Sequence, residues 1–219
     1  MNRPERHASL EQETKFFLPD STALRERIAS LGLTLFQARM HEENIRFDTP
    51  DGTLTRQGKV LRLRKAGRCI LTYKQPEHPS AASPARRHME SEVAVEDLDR
   101  TAYILEGLGY RPIVRYEKYR EVFTRDATLV MVDQLPFGDF LELEGPDLAQ
   151  LRAMAGLLGL DWSSALQASY MGIFLTIKRT YQLTIREATF DTFKGWNVQK
   201  TVAVLSQLPH EALHDKQTL

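Results

Sequence analysis

Glu11, Glu13 and Lys15 stand two residues apart in the run Leu10-Glu11-Gln12-Glu13-Thr14-Lys15-Phe16. In a strand they share one face. The spacing returns at Arg62 and Arg64, Glu90 and Glu92, Lys118 and Arg120, and Glu142 and Glu144. Each of these pairs carries one sign of charge, and like charges side by side repel. That cost is tolerated most readily when an anion sits between the basic pairs and a cation between the acidic ones. A polyphosphate with a divalent metal supplies both.

Strands must hold these side chains. The sequence predicts strands over Leu10–Leu18, Phe36–Phe47 and Glu90–Val95, and a hairpin of Val60–Lys65 and Ile70–Lys74 around Gly67. A second hairpin, Pro112–Thr124 and Thr128–Gln134, turns at Asp126, and Phe137–Glu144 follows. Helices are expected from Asp20 or Ser21 to Leu31, from Leu98 to Leu108 and from Pro146 to Leu158, each followed by a glycine that stops it. Leu54–Gln57 reads as a short helical turn, Ser164–Leu175 as a short helix, Tyr181–Ile185 as strand-like, and Pro76–Pro84 as a mobile loop.

The alternation fixes the architecture. Arg62 and Arg64 oppose Leu61 and Leu63, and Glu142 and Glu144 oppose Leu141 and Leu143. About eight strands can close around one small ligand. The helices need an apolar surface to cover, and the strands offer one on a single face. The expected fold is therefore an all-β core with flanking helices (α+β): an eight-stranded antiparallel closed tunnel barrel with a charged interior and helices outside. Antiparallel sheets with one solvated face alternate too, but here few neutral polar residues dilute the charged face. Arg115 breaks the pattern, since it lies on the face opposite Lys118 in an ideal strand; a bulge re-aims it, or it serves a rim or an outer salt bridge.

The bulk composition narrows the function. The chain has 219 residues, with 29 Lys and Arg against 29 Asp and Glu, so net charge gives no support to a nucleic-acid partner. Cys69 is the single cysteine, which leaves no internal disulfide and no cysteine metal cluster; its apolar surroundings suggest a buried small hydrophobe. With no paired histidines either, zinc is not expected. No apolar run is long enough to span a membrane, the polar start lacks a signal-peptide core, and a cytoplasmic location is the default expectation. A homodimer stays open.

These stretches resemble the CYTH superfamily, the triphosphate tunnel metalloenzymes. Its E-x-E-x-K signature matches Glu11, Glu13 and Lys15; its R-x-R pair matches Arg62 and Arg64, and the following lysine matches Lys74. The K-x-R pair matches Lys118 and Arg120, an aspartate of the next strand matches Asp133, and a G-x-F-x-E-x-E-like ending matches Gly138, Phe140, Glu142 and Glu144. One departure stands out: where the family commonly reads R-x-E-x-E, Glu90 and Glu92 follow His88. The resemblance covers residues 9–176 as a CYTH-like triphosphate tunnel domain, and implies an eight-stranded antiparallel tunnel. Residues 177–219 form a C-terminal extension of uncertain structure, for which an added strand and helix, a dimerisation arm and partial disorder stay open.

On this reading Arg62, Arg64, Lys74, Arg115, Lys118 and Arg120 meet the phosphates, the arginines through their paired donors. Glu11, Glu13, Asp133, Glu142 and Glu144 supply oxygen ligands to Mg2+ or Mn2+, and Glu13 and Lys15 act in catalysis. Glu90 and Glu92 are further acidic residues of the tunnel. The expected activity is metal-dependent hydrolysis of a small-molecule triphosphate, either inorganic tripolyphosphate or an organic one such as thiamine triphosphate. A class IV adenylate cyclase, making cyclic AMP and pyrophosphate from ATP, uses the same cage, and a non-catalytic polyphosphate- or nucleotide-binding module is the third reading.

Overall fold

The computed structural model describes residues 9–76, 86–166 and 168–207. The expected Pro76–Pro84 loop lies almost wholly outside them. Eight strands alternate with helices: β1 (Ser9–Leu18), α1 (Thr22–Ser30), β2 (Thr34–Asp48), α2 (Thr53–Arg56), β3 (Val60–Ala66), β4 (Arg68–Pro76) and β5 (Arg86–Val95). Then come α3 (Leu98–Gly107), β6 (Arg111–Arg125), β7 (Thr128–Leu135), β8 (Gly138–Gly145), α4 (Leu148–Leu157), α5 (Tyr170–Thr180) and α6 (Val198–Leu205).

All strand pairs are antiparallel, in the order β1-β5-β4-β3-β2-β6-β7-β8, and β1 pairs with both β5 and β8. The expectation of a closed tunnel barrel with helices outside is corrected in two respects. First, the β1–β5 seam is a ladder of only five residue pairs, Ser9–Glu13 against Arg86–Glu90, whereas β2 and β6 pair over most of their length. Second, one helix does not stay outside. The start of α5 lies against the sheet interior, where Tyr170 packs on Phe140 with ring centroids 5.2 Å apart.

The apolar residues form three clusters. The outward faces of β1, β7 and β8 (Phe16, Val130, Val132, Leu141, Leu143) are covered by Leu24 and Ile28 of α1 and by Leu151 and Met154 of α4. The outward face of β2 and β3 (Ile45, Phe47, Leu61, Leu63) packs against Leu105 of α3. The third cluster is a stopper at one end of the sheet. It joins Val114, Leu135, Phe137 and Phe140 to Ile173, Phe174 and Ile177 of α5, and to Phe193 and Val204 of the following residues.

Local signals set the helix ends. Asp97, Asp147, Ser169 and Asn197 each accept a backbone N–H of the first turn of α3, α4, α5 and α6. The aspartate cap places the start of α4 at Leu148, two residues after Pro146. The predicted Ser164–Leu175 helix resolves into a 3-10 turn, Trp162–Ser164, a bridge from Leu166 to Lys15, and α5. Tyr181–Ile185 is not a strand; Tyr181, Leu183 and Ile185 pack on the third cluster instead. Gly138 has φ 146°, and a Cβ there would stand 2.8 Å from the Phe17 ring, so β8 can begin only with a residue lacking a side chain.

Candidate active site

The inward faces of the strands enclose a cavity of about 470 Å³, within the range of small-molecule sites. Its lining includes nine Lys and Arg (Lys15, Arg46, Lys59, Arg62, Arg64, Arg68, Lys74, Lys118, Arg120) and six Glu (Glu13, Glu42, Glu90, Glu92, Glu142, Glu144). Positive charge is therefore in surplus by three. A cavity so charged favours a multiply charged anion.

The cations differ in how fully they are paired. Arg120 donates to Asp133 through Nε at 2.6 Å and Nη2 at 2.5 Å, and to Glu142 at 2.9 Å. Lys118 lies 3.1 Å from Asp133 and 3.5 Å from Glu42. Lys15 lies 2.9 Å from Glu13 and 3.4 Å from Glu142, and Lys74 is in contact with Glu90. Arg62 and Arg64 are held more loosely. Their contacts to Glu92 are 3.9 and 3.5 Å, Arg64 lies 3.7 Å from Glu42, and Arg62 has the Tyr116 hydroxyl at 3.5 Å. The Nε of each is buried with no hydrogen-bond partner. Buried donors left unmade cost free energy, and an incoming phosphate would supply the acceptors.

Asp133 is fully buried. Besides Lys118 and Arg120, it accepts a hydrogen bond from the Tyr170 hydroxyl at 2.7 Å. Burial alone would raise its pKa; Arg120 and Lys118 outweigh that and hold the carboxyl well below the ordinary range. Burial likewise opposes ionisation of Glu42, yet Lys118, Arg120 and Arg64 keep its pKa lowered. Tyr170 goes the other way. Burial and the Asp133 and Glu142 charges raise its pKa well above the usual phenol value, so it remains a donor to Asp133. Arg64 has its pKa lowered by burial and by the neighbouring Arg62, the repulsion expected of like charges on one strand face.

Of the residues singled out in the sequence, Glu13, Lys15, Arg62, Arg64, Lys74, Glu90, Glu92, Lys118, Arg120, Glu142 and Glu144 line the cavity together. Asp133 sits behind its wall, bound to two of them. Arg115 stands apart: its side chain is 55% exposed and reaches Glu187 at 4.0 Å. The Glu11 side chain lies outside the described residues. His88, at the departure from the family pattern, also lines the cavity and is buried.

Sequence reading missed the inward face of β2. Glu42, Asn44 and Arg46 are buried on it, alternating with Ile45 and Phe47 on the outward face. The period-two signal was present in His41-Glu42-Glu43-Asn44-Ile45-Arg46-Phe47, but the charges in it are mixed in sign and so did not stand out. Tyr116 and Tyr170 were missed as well, because a tyrosine gives no sign in sequence of whether its hydroxyl meets an ion.

The acidic residues bear on a metal. Glu13 and Glu144 are directly opposed across β1 and β8, and Lys15 opposes Glu142. Among the described residues no three His, Cys, Asp or Glu side chains are gathered as a ready-made ion cage. Two facing carboxylates in a cavity with surplus positive charge fit a hard cation that keeps water and takes its remaining oxygens from an anionic ligand, as Mg2+ does.

Comparison with known proteins agrees with this architecture. The CYTH domain profile matches residues 9–150. Adenylate cyclase CyaB of Aeromonas hydrophila is 30% identical over 173 residues, 73% of this chain and 86% of that protein. A Methanocaldococcus jannaschii protein, provisionally named an adenylate cyclase, is 27% identical over 137 residues, 62% of this chain and 76% of its own length. Among solved structures, a Vibrio parahaemolyticus protein with the same provisional name superimposes with a TM-score of 0.67 at 25% identity, covering 76% of this chain and 98% of that one. The ring of antiparallel strands, the charged interior and the match over residues 9–150 place this chain in the CYTH superfamily, the triphosphate tunnel metalloenzymes.

Proposed function

We propose that the cavity binds a triphosphate and that the protein cleaves one of its phosphoanhydride bonds, with water as the attacking group. The observation that carries this reading is the pair Arg62 and Arg64, side by side on β3, each with a buried Nε lacking a partner. Their forks suit phosphoryl oxygens in pairs. Lys74 adds charge from the adjacent β4, and Lys15 from β1. Arg120 and Lys118 are committed to Asp133, and their part is to hold that wall of the cavity rigid while adding positive potential.

Glu13 and Glu144, with Glu142 beside them, would hold Mg2+ or Mn2+. When bound, such an ion polarises the phosphoryl oxygens and offsets charge on the leaving group. Glu13 is then placed to accept a hydrogen bond from an attacking water, and Lys15, 2.9 Å from Glu13, fixes that carboxylate in position.

A second reading is favoured by the name of the Aeromonas relative. In an adenylate cyclase the substrate's own ribose hydroxyl attacks and pyrophosphate leaves. A product assay separates the two. The protein is incubated with tripolyphosphate, thiamine triphosphate and ATP, with magnesium and then manganese. Orthophosphate release is expected. Cyclic AMP with pyrophosphate would replace hydrolysis by cyclisation, and binding without turnover of any substrate would leave a polyphosphate-binding module.

A further inference from the structure

The start of β2 departs from regular strand geometry. Its pairing with β6 shifts register between Leu35 and Gln37 and again between Gln37 and Met40. In a regular strand Phe36 and Gln37 would point to opposite faces of the sheet. Here both line the cavity. A bulge is the device that turns consecutive side chains to one side.

What the bulges present is unlike the rest of the lining. Phe36 is 60% exposed at the open border of the cavity, and among the described residues no aromatic ring packs on it. The Gln37 amide nitrogen is buried without a hydrogen-bond partner. Val122, opposite Gln37, and Met131, opposite Val122, extend this patch as an apolar wall together with Leu129. Leu129 in turn pairs with Glu144 and Met131 with Glu142. The apolar wall thus adjoins the carboxylates placed above at the reacting end. Inorganic tripolyphosphate has no use for an exposed phenyl ring, an apolar wall and an unpaired amide.

We propose that this rim is a ring-recognition subsite, and that the triphosphate this protein takes carries a flat heteroaromatic group. The ring would stack on Phe36 and lie along Val122 and Met131, while the Gln37 amide donates to a nitrogen or carbonyl on its edge. Stacking on an aromatic side chain tolerates many bases, whereas the amide contact discriminates between edges. This inference rests on the triphosphate reading of the same cavity.

Calorimetric titration tests it without needing turnover. The probes are β,γ-methylene analogues of ATP, GTP, CTP, UTP and thiamine triphosphate, and methylene-bridged triphosphate lacking an organic group, each with magnesium. At least one ring-bearing probe should bind the natural protein more tightly than the bare triphosphate. Phe36→Ala should weaken that probe about tenfold and Gln37→Ala about threefold or more, with bare-triphosphate affinity unchanged in both. Phe36→Trp should restore the stacking. Equal affinity for bare and ring-bearing probes, or equal losses on both in Phe36→Ala, would overturn the subsite while leaving the triphosphate cavity standing. Absence of binding by every probe would instead strike the triphosphate reading itself, and the subsite with it.

Discussion

Arg64 and Asp133 are extremes of one design. Both stand in charge-rich surroundings, but Asp133 is fully buried with its partners in place, whereas Arg64 is half-buried and its Nε has none. Removing each should therefore have opposite consequences. Asp133→Ala leaves Arg120 and Lys118 facing one another without their shared carboxylate, and should cost about 3–5 kcal/mol of stability, read from urea unfolding. Arg64→Ala removes a repelled, loosely held cation. It should leave stability unchanged or raised, yet weaken a non-hydrolysable triphosphate about 10- to 150-fold without altering the magnesium dependence. Glu13→Gln should reverse that pattern, with turnover falling by orders of magnitude and the magnesium requirement rising. Unchanged triphosphate affinity in Arg64→Ala would show that β3 does not face the bound phosphates.

Among the elements, α5 was the least legible. The strands were readable because a buried charged face and a buried apolar face alternate in strict period two, so Arg62, Arg64, Glu142 and Glu144 announce their side of the sheet. α5 announces nothing comparable. Met171, Ile173, Phe174 and Ile177 look like any covering stripe, and no pattern within Ser169–Thr180 says that the helix N-terminus abuts a sheet interior where Tyr170 reaches Asp133. That contact depends on the ends of β7 and β8, remote in sequence. Residues 177–207 were equally opaque, since Phe193, Trp196 and Val204 are spaced by turns with no repeat, and their packing on Phe137 and Leu183 is purely tertiary. A chain ending at Thr176 should accordingly lose its cooperative thermal transition, because Ile177 and its partners stop one end of the sheet. Retention of a sharp transition would mean that the strands hold together without that cluster.

At the scale of the molecule, the interior is a dense ionic lattice, and its stability should depend on pH in a definite direction. Burial opposes the charge on Glu42 and Asp133, but the surrounding cations overcome it, so both carboxyls titrate below their ordinary values of 4.5 and 3.8. Unfolded, they bind protons at the ordinary values; folded, only at lower pH. Their contribution is thus complete above about pH 5 and is lost as pH falls through the folded-state values, at up to about 1.4 kcal/mol per pH unit for each group. Urea unfolding between pH 3 and pH 7 should show a plateau followed by an acid-side decline. A flat profile would mean that the two carboxylates gain nothing from their neighbours on folding. No described helix is long and apolar enough to cross a membrane.

The pairing of β1 with β8 also bears on synthesis. Lys15 is opposite Glu142, so β1 leaves the ribosome long before its partner is made, by roughly ten seconds at ordinary translation rates. For that interval Thr14–Leu18, which β5 does not reach, is an unpaired edge, the kind of segment that recruits other chains. The charges that face the finished cavity meanwhile make β1 a poor template for aggregation, so the same charged signature also serves as a guard during birth. Ribosome-bound chains halted before Gly138 should show β1 open to protease, and chains halted well beyond Gly145 should show it protected. Early protection would mean that β1 finds another partner first.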